Sequence, residues 1–127
     1  MEYVAIVTAV ALLQYVYFAV AVGGARGKYG VKAPAVSGHE VFERYFRVQQ
    51  NTLELLVVLV PSLWLFATYV SPLWGAVLGA VYVVGRFVYF ASYVRDPAKR
   101  GLGFALSMLP VLALAVGALV GAVVRLV

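Results

Sequence analysis

Apolar side chains run through this chain in four long blocks, 3-25, 42-70, 73-95 and 102-125, separated by Gly, Pro and charged residues. Within each block they are continuous rather than alternating, and each block far exceeds the roughly 10 residues of a barrel strand. A helix of about 20 such residues, rising 1.5 Å each, crosses a bilayer. The pattern therefore predicts four membrane-spanning helices, whose backbone amides are all bonded within their own segment, as hydrocarbon requires.

The breaks between blocks place the helix ends. The first loop, "RGKYGVKAPAVSG", closes on "SGHE", where Ser37 and Glu40 have capping-box spacing, so the second helix is expected to begin near Gly38. Its uniformly apolar half, 55-70, is short for a span, so the polar stretch 42-54 is read as the same helix continuing toward the headgroups. "YVSP" ends it in a very short turn, which makes helices two and three an antiparallel hairpin. The resulting expectation is one all-α domain over 1-127, an integral membrane four-helix bundle with helices at 3-25, 38-70, 73-95 and 102-125. Small residues four apart, Gly75/Gly79 and Gly117/Gly121, suit close helix approach, although bilayer helices are enriched in glycine anyway. Pro110 predicts a kink in the fourth helix.

Composition sharpens this picture. Of 127 residues, 65% are hydrophobic, more than a soluble domain of this size buries. The first block carries only Glu2 ahead of it and is too long for a signal-peptide core, so it is read as a retained helix. The net charge of +5 implies no nucleic-acid partner here, because the basic residues flank the spans. Arg26, Lys28 and Lys32 lie in the first loop and Arg95, Lys99 and Arg100 after the third block, whereas the second loop has none. The positive-inside rule puts both basic loops in the cytoplasm and both termini on the other side. Without cysteine there is no disulfide, thiolate metal site or cysteine nucleophile. The single histidine, His39, sits at a helix start in a wet loop and reads as a surface residue. Nothing supports a metal site.

Polar residues inside the blocks carry the chemistry. Arg44, Arg47, Asn51 and Glu54 follow at intervals of three, four and three, on one face of helix two. Tyr82, Arg86, Tyr89 and Tyr93 follow at four, three and four on helix three, with Arg100 just beyond its end. Arg47 and Arg86 lie at similar depth, roughly 10 to 14 Å from the cytoplasmic ends of their helices. Ionisable groups there cost about 2.5 to 3.5 kcal/mol each unless paired or hydrated, which points to a polar pocket open to the cytoplasm. The same spacing also fits a ladder in which Arg44, Arg47 and Glu54 pair between helices and fix packing, and the tyrosines also fit an interfacial aromatic belt. A small channel using the stripes as an ion path is a further reading, against which one protomer offers little room for a pore and no matched pair of broken helices.

With these residues in view, "FERYFRVQQNTLE" followed by "GRFVYFASYVRDPAKR" resembles the membrane-associated proteins in eicosanoid and glutathione metabolism, the MAPEG family, over nearly the whole chain. The family embraces microsomal glutathione transferases, a leukotriene synthase and a non-catalytic lipid-binding relative. The resemblance implies a homotrimer of four-helix bundles that binds glutathione between protomers near the cytoplasmic face. It implies an enzyme, a glutathione S-transferase or peroxidase, that presents glutathione as co-substrate to a lipophilic electrophile. Residue by residue, it implies that Arg26, Arg47, Gln49, Asn51, Glu54, Arg86, Tyr89 and Tyr93 bind glutathione and that Arg100 is catalytic, stabilising the thiolate. Leu55, Val57 and Gly27 depart from the leukotriene synthase pattern, where a tyrosine, a proline and a second arginine stand. These departures bear on epoxide chemistry more than on thiol binding, so the resemblance favours broad specificity over a leukotriene-type substrate.

Overall fold

The structure, a computed structural model, describes residues 1–127. The four blocks form four helices: α1 (Glu2–Tyr29), α2 (Glu40–Tyr69), α3 (Pro72–Arg95) and α4 (Gly101–Leu126), with a single 3-10 turn, Pro97–Lys99, between α3 and α4. All four are long and apolar enough to cross a membrane. Helices α1 and α4 each pack against both α2 and α3, so the α2–α3 hairpin forms the middle of the bundle.

Local chemistry sets the ends. α1 runs past its apolar block to Tyr29 because Arg26 and Lys28 suit the negative end of the helix dipole. Gly30 then adopts the left-handed conformation, φ 72°, and its N–H and that of Val31 both donate to Arg26 O. α2 starts at Glu40 rather than Gly38, and its cap is His39 rather than Ser37. The His39 Nδ1 accepts from Val41 N at 3.1 Å, and its ring stacks on Tyr29 at 4.3 Å, so the histidine ties the end of α1 to the start of α2. The Glu43 carboxylate, four residues beyond His39, accepts from Gly38 N at 3.2 Å, the back-bond expected of Glu40. The turn into α3 is as the sequence predicts: Ser71 Oγ accepts from Trp74 N, and Pro72 occupies the first helical turn, where no N–H is needed.

The main core lies toward the hairpin end, where Val4 and Ala11 of α1 meet Leu59, Leu63 and Phe66 of α2 and Leu114 of α4. Both predicted small-residue pairs sit at close approaches: a Cβ at Gly79 would meet Val7 Cγ1 at 2.5 Å, and one at Gly117 would meet the Phe66 ring at 2.6 Å. The tightest crossing is elsewhere, between α3 and α4. A Cβ at Gly85 would lie 2.6 Å from the Leu106 carbonyl carbon, and one at Gly103 would overlap the backbone of Tyr89. Backbone cannot swing aside as a side-chain tip can. Gly103→Ala is therefore expected to lower stability by about 1 to 3 kcal/mol, read as a lower thermal midpoint in detergent, and an unchanged midpoint would show that the two helices pack more loosely than this.

Candidate functional site

The α3–α4 crossing brings together the polar residues of three helices. Arg86 projects from α3 into the bundle and has no exposed surface. Its Nε donates to Ser107 Oγ of α4 at 2.9 Å, and its Nη1 donates to Asn51 Oδ1 and Thr52 Oγ1 of α2 at 2.7 and 3.1 Å. The guanidinium carbon stands 4.2 Å from the centroid of the Tyr89 ring, a cation–π contact. Both hydroxyls are pre-set to accept. Ser107 donates its proton to Gly103 O at 2.7 Å and Thr52 donates to Val48 O at 2.7 Å, which leaves only lone pairs facing Arg86. The charge is thus solvated by dipoles and a ring without a carboxylate partner, and Nη2 has no protein acceptor.

Above this buried group, α2 and α3 open a shallow polar cleft of about 400 Å³ between Glu40, Glu43, Arg44, Arg47 and Tyr93. Arg47 and Glu54, two turns apart on α2, pair at 3.8 Å with their side chains 51% and 54% exposed, so each keeps an open side for a ligand. Tyr93 stacks on Tyr89 with ring centroids 5.3 Å apart. Arg100 is exposed in the turn before α4, where its Nη1 donates to Pro97 O at 3.1 Å. Pro97, the acceptor of Arg100, lines the same cleft as Arg47 and Tyr93. The first turn of α4 carries no side-chain cap, so its N–H groups point toward the same end of the bundle.

Thus Arg47, Asn51, Glu54, Tyr89, Tyr93 and Arg100 belong to one neighbourhood, with Arg86 beneath it rather than in its wall. Two others lie apart. Gln49 turns toward α1, where its amide nitrogen donates to Tyr15 Oη at 3.4 Å. Arg26 donates to Ala35 O at 2.6 Å and covers the Phe42 ring at 4.9 Å, which pins the first loop to α2. Arg44, on the same stripe as Arg47, serves packing: it donates to the carbonyls of Val94 and Arg95 at 3.2 and 3.3 Å, closing the C-terminus of α3, and pairs with Glu40 at 2.9 Å. The interhelical ladder reading therefore holds for Arg44 alone. Sequence reasoning missed Thr52 and Ser107, the partners of Arg86. Each is a hydroxyl in an apolar run, a weak signal because such residues often bond only their own helix, as both also do here. It also missed Gln14, a buried amide of α1 that donates to Val83 O at 2.8 Å.

The MAPEG family profile matches residues 4–120. An uncharacterized protein of Synechocystis is 50% identical over 115 residues, which are 91% of this chain and 84% of that protein. Microsomal glutathione S-transferase 2 of Homo sapiens is 42% identical over 104 residues, 82% of this chain and 71% of the relative. Leukotriene C4 synthase of Mus musculus is 34% identical over 96 residues, 76% and 64% of the two chains.

Proposed function

The chain belongs to the MAPEG family, and from that membership and its charged cleft we propose that it is a membrane-bound glutathione transferase that activates the thiol for attack on a lipophilic electrophile. The observation that carries this reading is the half-exposed Arg47–Glu54 pair, with Arg47 lining one cleft together with Tyr93 and Pro97, the residue that Arg100 bonds. Glutathione offers the complement: two carboxylates, one ammonium and a thiol. The Arg47 guanidinium binds a carboxylate through paired N–H donors, and the Glu54 carboxylate binds the ammonium. The amide of Asn51, oriented by Arg86 from below, and the Tyr93 hydroxyl fix the peptide portion. Tyr89 stacks behind Tyr93 and holds it in place.

Arg100 takes the catalytic role. A free thiol has a pKa of about 8.5, and only the thiolate is a competent nucleophile. A guanidinium that stays charged at all working pH values lowers that pKa, so the thiol proton passes to solvent near neutrality. The sulfur lone pair then forms a carbon–sulfur bond, and the electrons of the broken bond leave with the departing group or collect on an opened oxygen that takes up a proton. The uncapped first turn of α4 adds dipolar stabilisation of the anion. In the peroxidase reading the same thiolate attacks a peroxide oxygen, the O–O bond breaks and an alcohol leaves, and a second glutathione then reduces the resulting sulfenic acid, giving the disulfide and water.

Assembly completes the site. Glu54 lies about 21 Å along α2 from Glu40, and an ion pair facing hydrocarbon there would cost several kcal/mol. A neighbouring protomer covers it in a homotrimer, and that neighbour supplies Arg26 and Gln49, which face away from their own cleft. The basic loops favour a cytoplasmic cleft, with both termini opposite. Native mass spectrometry is expected to give a trimer, and titration calorimetry is expected to show glutathione binding. A monomer that binds glutathione would overturn the shared site. A trimer that ignores millimolar glutathione would leave a different thiol, or the lipid-binding relative, as the reading.

A further inference from the structure

On the side of α1 away from Arg26, a second concavity runs along the bundle and shares no lining residue with the Arg47 cleft. Gln14, Tyr17, Ala21, Gly24 and Lys28 follow at intervals of three, four, three and four, so one stripe of α1 forms its wall. It comprises two hollows of about 290 and 340 Å³ that meet at Tyr17. The Tyr17 ring packs edge-on against Phe87 and Phe90 of α3, with centroids at 6.2 and 6.0 Å, and these rings form the opposite wall. At one end the Gln14 amide donates to Val83 O and ties α1 to α3, closing the floor. At the other end Lys28 stands exposed with its ammonium 5.5 Å from the Tyr29 ring centroid.

We propose that this groove is a binding site for an anionic glycerophospholipid of the leaflet next to the first loop, with one acyl chain along Tyr17 and Gly24 and the headgroup phosphate on Lys28. The inference rests on the chain crossing a membrane, not on its thiol chemistry. Both hollows are walled mainly by apolar side chains, with Gln14 at one end and Lys28 at the other, and left empty they would forfeit dispersion contacts along both walls. Its surroundings in a bilayer are acyl chains. The stripe from Gln14 to Lys28 measures about 21 Å, against about 15 Å for half the hydrocarbon core, so it spans one leaflet and reaches the headgroups. The cation at that end selects the charge: a lysine at the membrane surface favours an anionic over a zwitterionic lipid by about fivefold. The small side chains Ala21 and Gly24 leave the chain its room. A Cβ at Gly24 meets nothing within 4 Å, so the missing side chain opens the groove rather than permitting helix contact.

The test is electron spin resonance on the purified protein reconstituted with chain-labelled phosphatidylglycerol or phosphatidylcholine, which reports the motionally restricted fraction of each. The wild-type protein is expected to immobilise phosphatidylglycerol about fivefold more strongly. Lys28→Gln is expected to abolish that preference and keep chain immobilisation. Gly24→Leu places its Cβ in open space and its remaining carbons in the groove, and is expected to remove one immobilised lipid per protomer of either headgroup. A preference that survives Lys28→Gln, or an immobilised fraction unchanged in Gly24→Leu, would mean ordinary boundary lipid and overturn the site.

Discussion

Arg100→Ala is expected to lower the conjugation rate at pH 7 by at least about 15-fold while glutathione still binds. That figure follows from ionisation alone: a thiol at its free pKa of about 8.5 is roughly 3% thiolate at pH 7, against about half for one held near 7 by a fixed cation. The geometry permits so specific a loss because Arg100 is exposed in the turn before α4 and bonds only Pro97 O, so its removal leaves the bundle packing untouched. The sign of the pH dependence follows. In the wild type about half of the thiol is ionised at neutrality, so the rate rises only about twofold above it. In the variant the rate climbs as pH rises toward the free thiol value and the deficit narrows. Thiolate absorbance of the bound donor near neutrality checks the cause directly and is expected to fall in the variant. Arg100→Lys keeps a charge but loses the planar fork, so it should recover only part of the rate. A wild-type rate for Arg100→Ala across pH 6 to 9 would move the role to another group, with Tyr93 the next candidate.

Arg47→Ala and Glu54→Ala are each expected to weaken glutathione binding by about 1.5 to 3 kcal/mol, the worth of a hydrogen bond to a charged group, which is roughly 10- to 150-fold in Kd. The two effects should not add. With Arg47 and Glu54 3.8 Å apart, removing one leaves the other without its partner as well as without its ligand contact. A double-mutant cycle by titration calorimetry therefore separates ligand anchoring from mutual pairing. If either single variant bound glutathione with wild-type affinity and kept the fold, the pair would be an ion pair within α2 that serves the helix and not the ligand. Arg44→Ala, which strips partners from the Val94 and Arg95 carbonyls, is the contrasting case because its effect belongs to stability.

The four helices are legible in the sequence because hydrocarbon leaves little choice. Long apolar blocks must satisfy their own backbone, and each block does so as a single helix. The α2–α3 turn is equally plain, since Ser71 and Pro72 fix it by local chemistry. The start of α2 departs from expectation because two overlapping caps compete within "SGHE", and the tertiary contact of His39 with Tyr29 favours the later one. Helical spacing alone aligns Arg47, Asn51 and Glu54, and likewise Arg86, Tyr89 and Tyr93. What spacing cannot give is which side of the stripe meets a neighbour and how closely. Arg44 and Arg47 share a stripe and line the same cleft, yet the Arg44 guanidinium is spent on the carbonyls at the end of α3 and on Glu40, whereas Arg47 meets only Glu54. The family resemblance implies that Arg86 binds glutathione, and only the approach of α3 and α4 at Gly85 and Gly103 draws its guanidinium under the cleft onto Ser107 and Thr52. Periodicity within one helix is a local property of the chain, so the spans and their faces are written in the order of residues. The partners across those faces depend on helix separation and depth, which arise from side chains far apart in sequence packing together, and they become fixed only when the bundle closes.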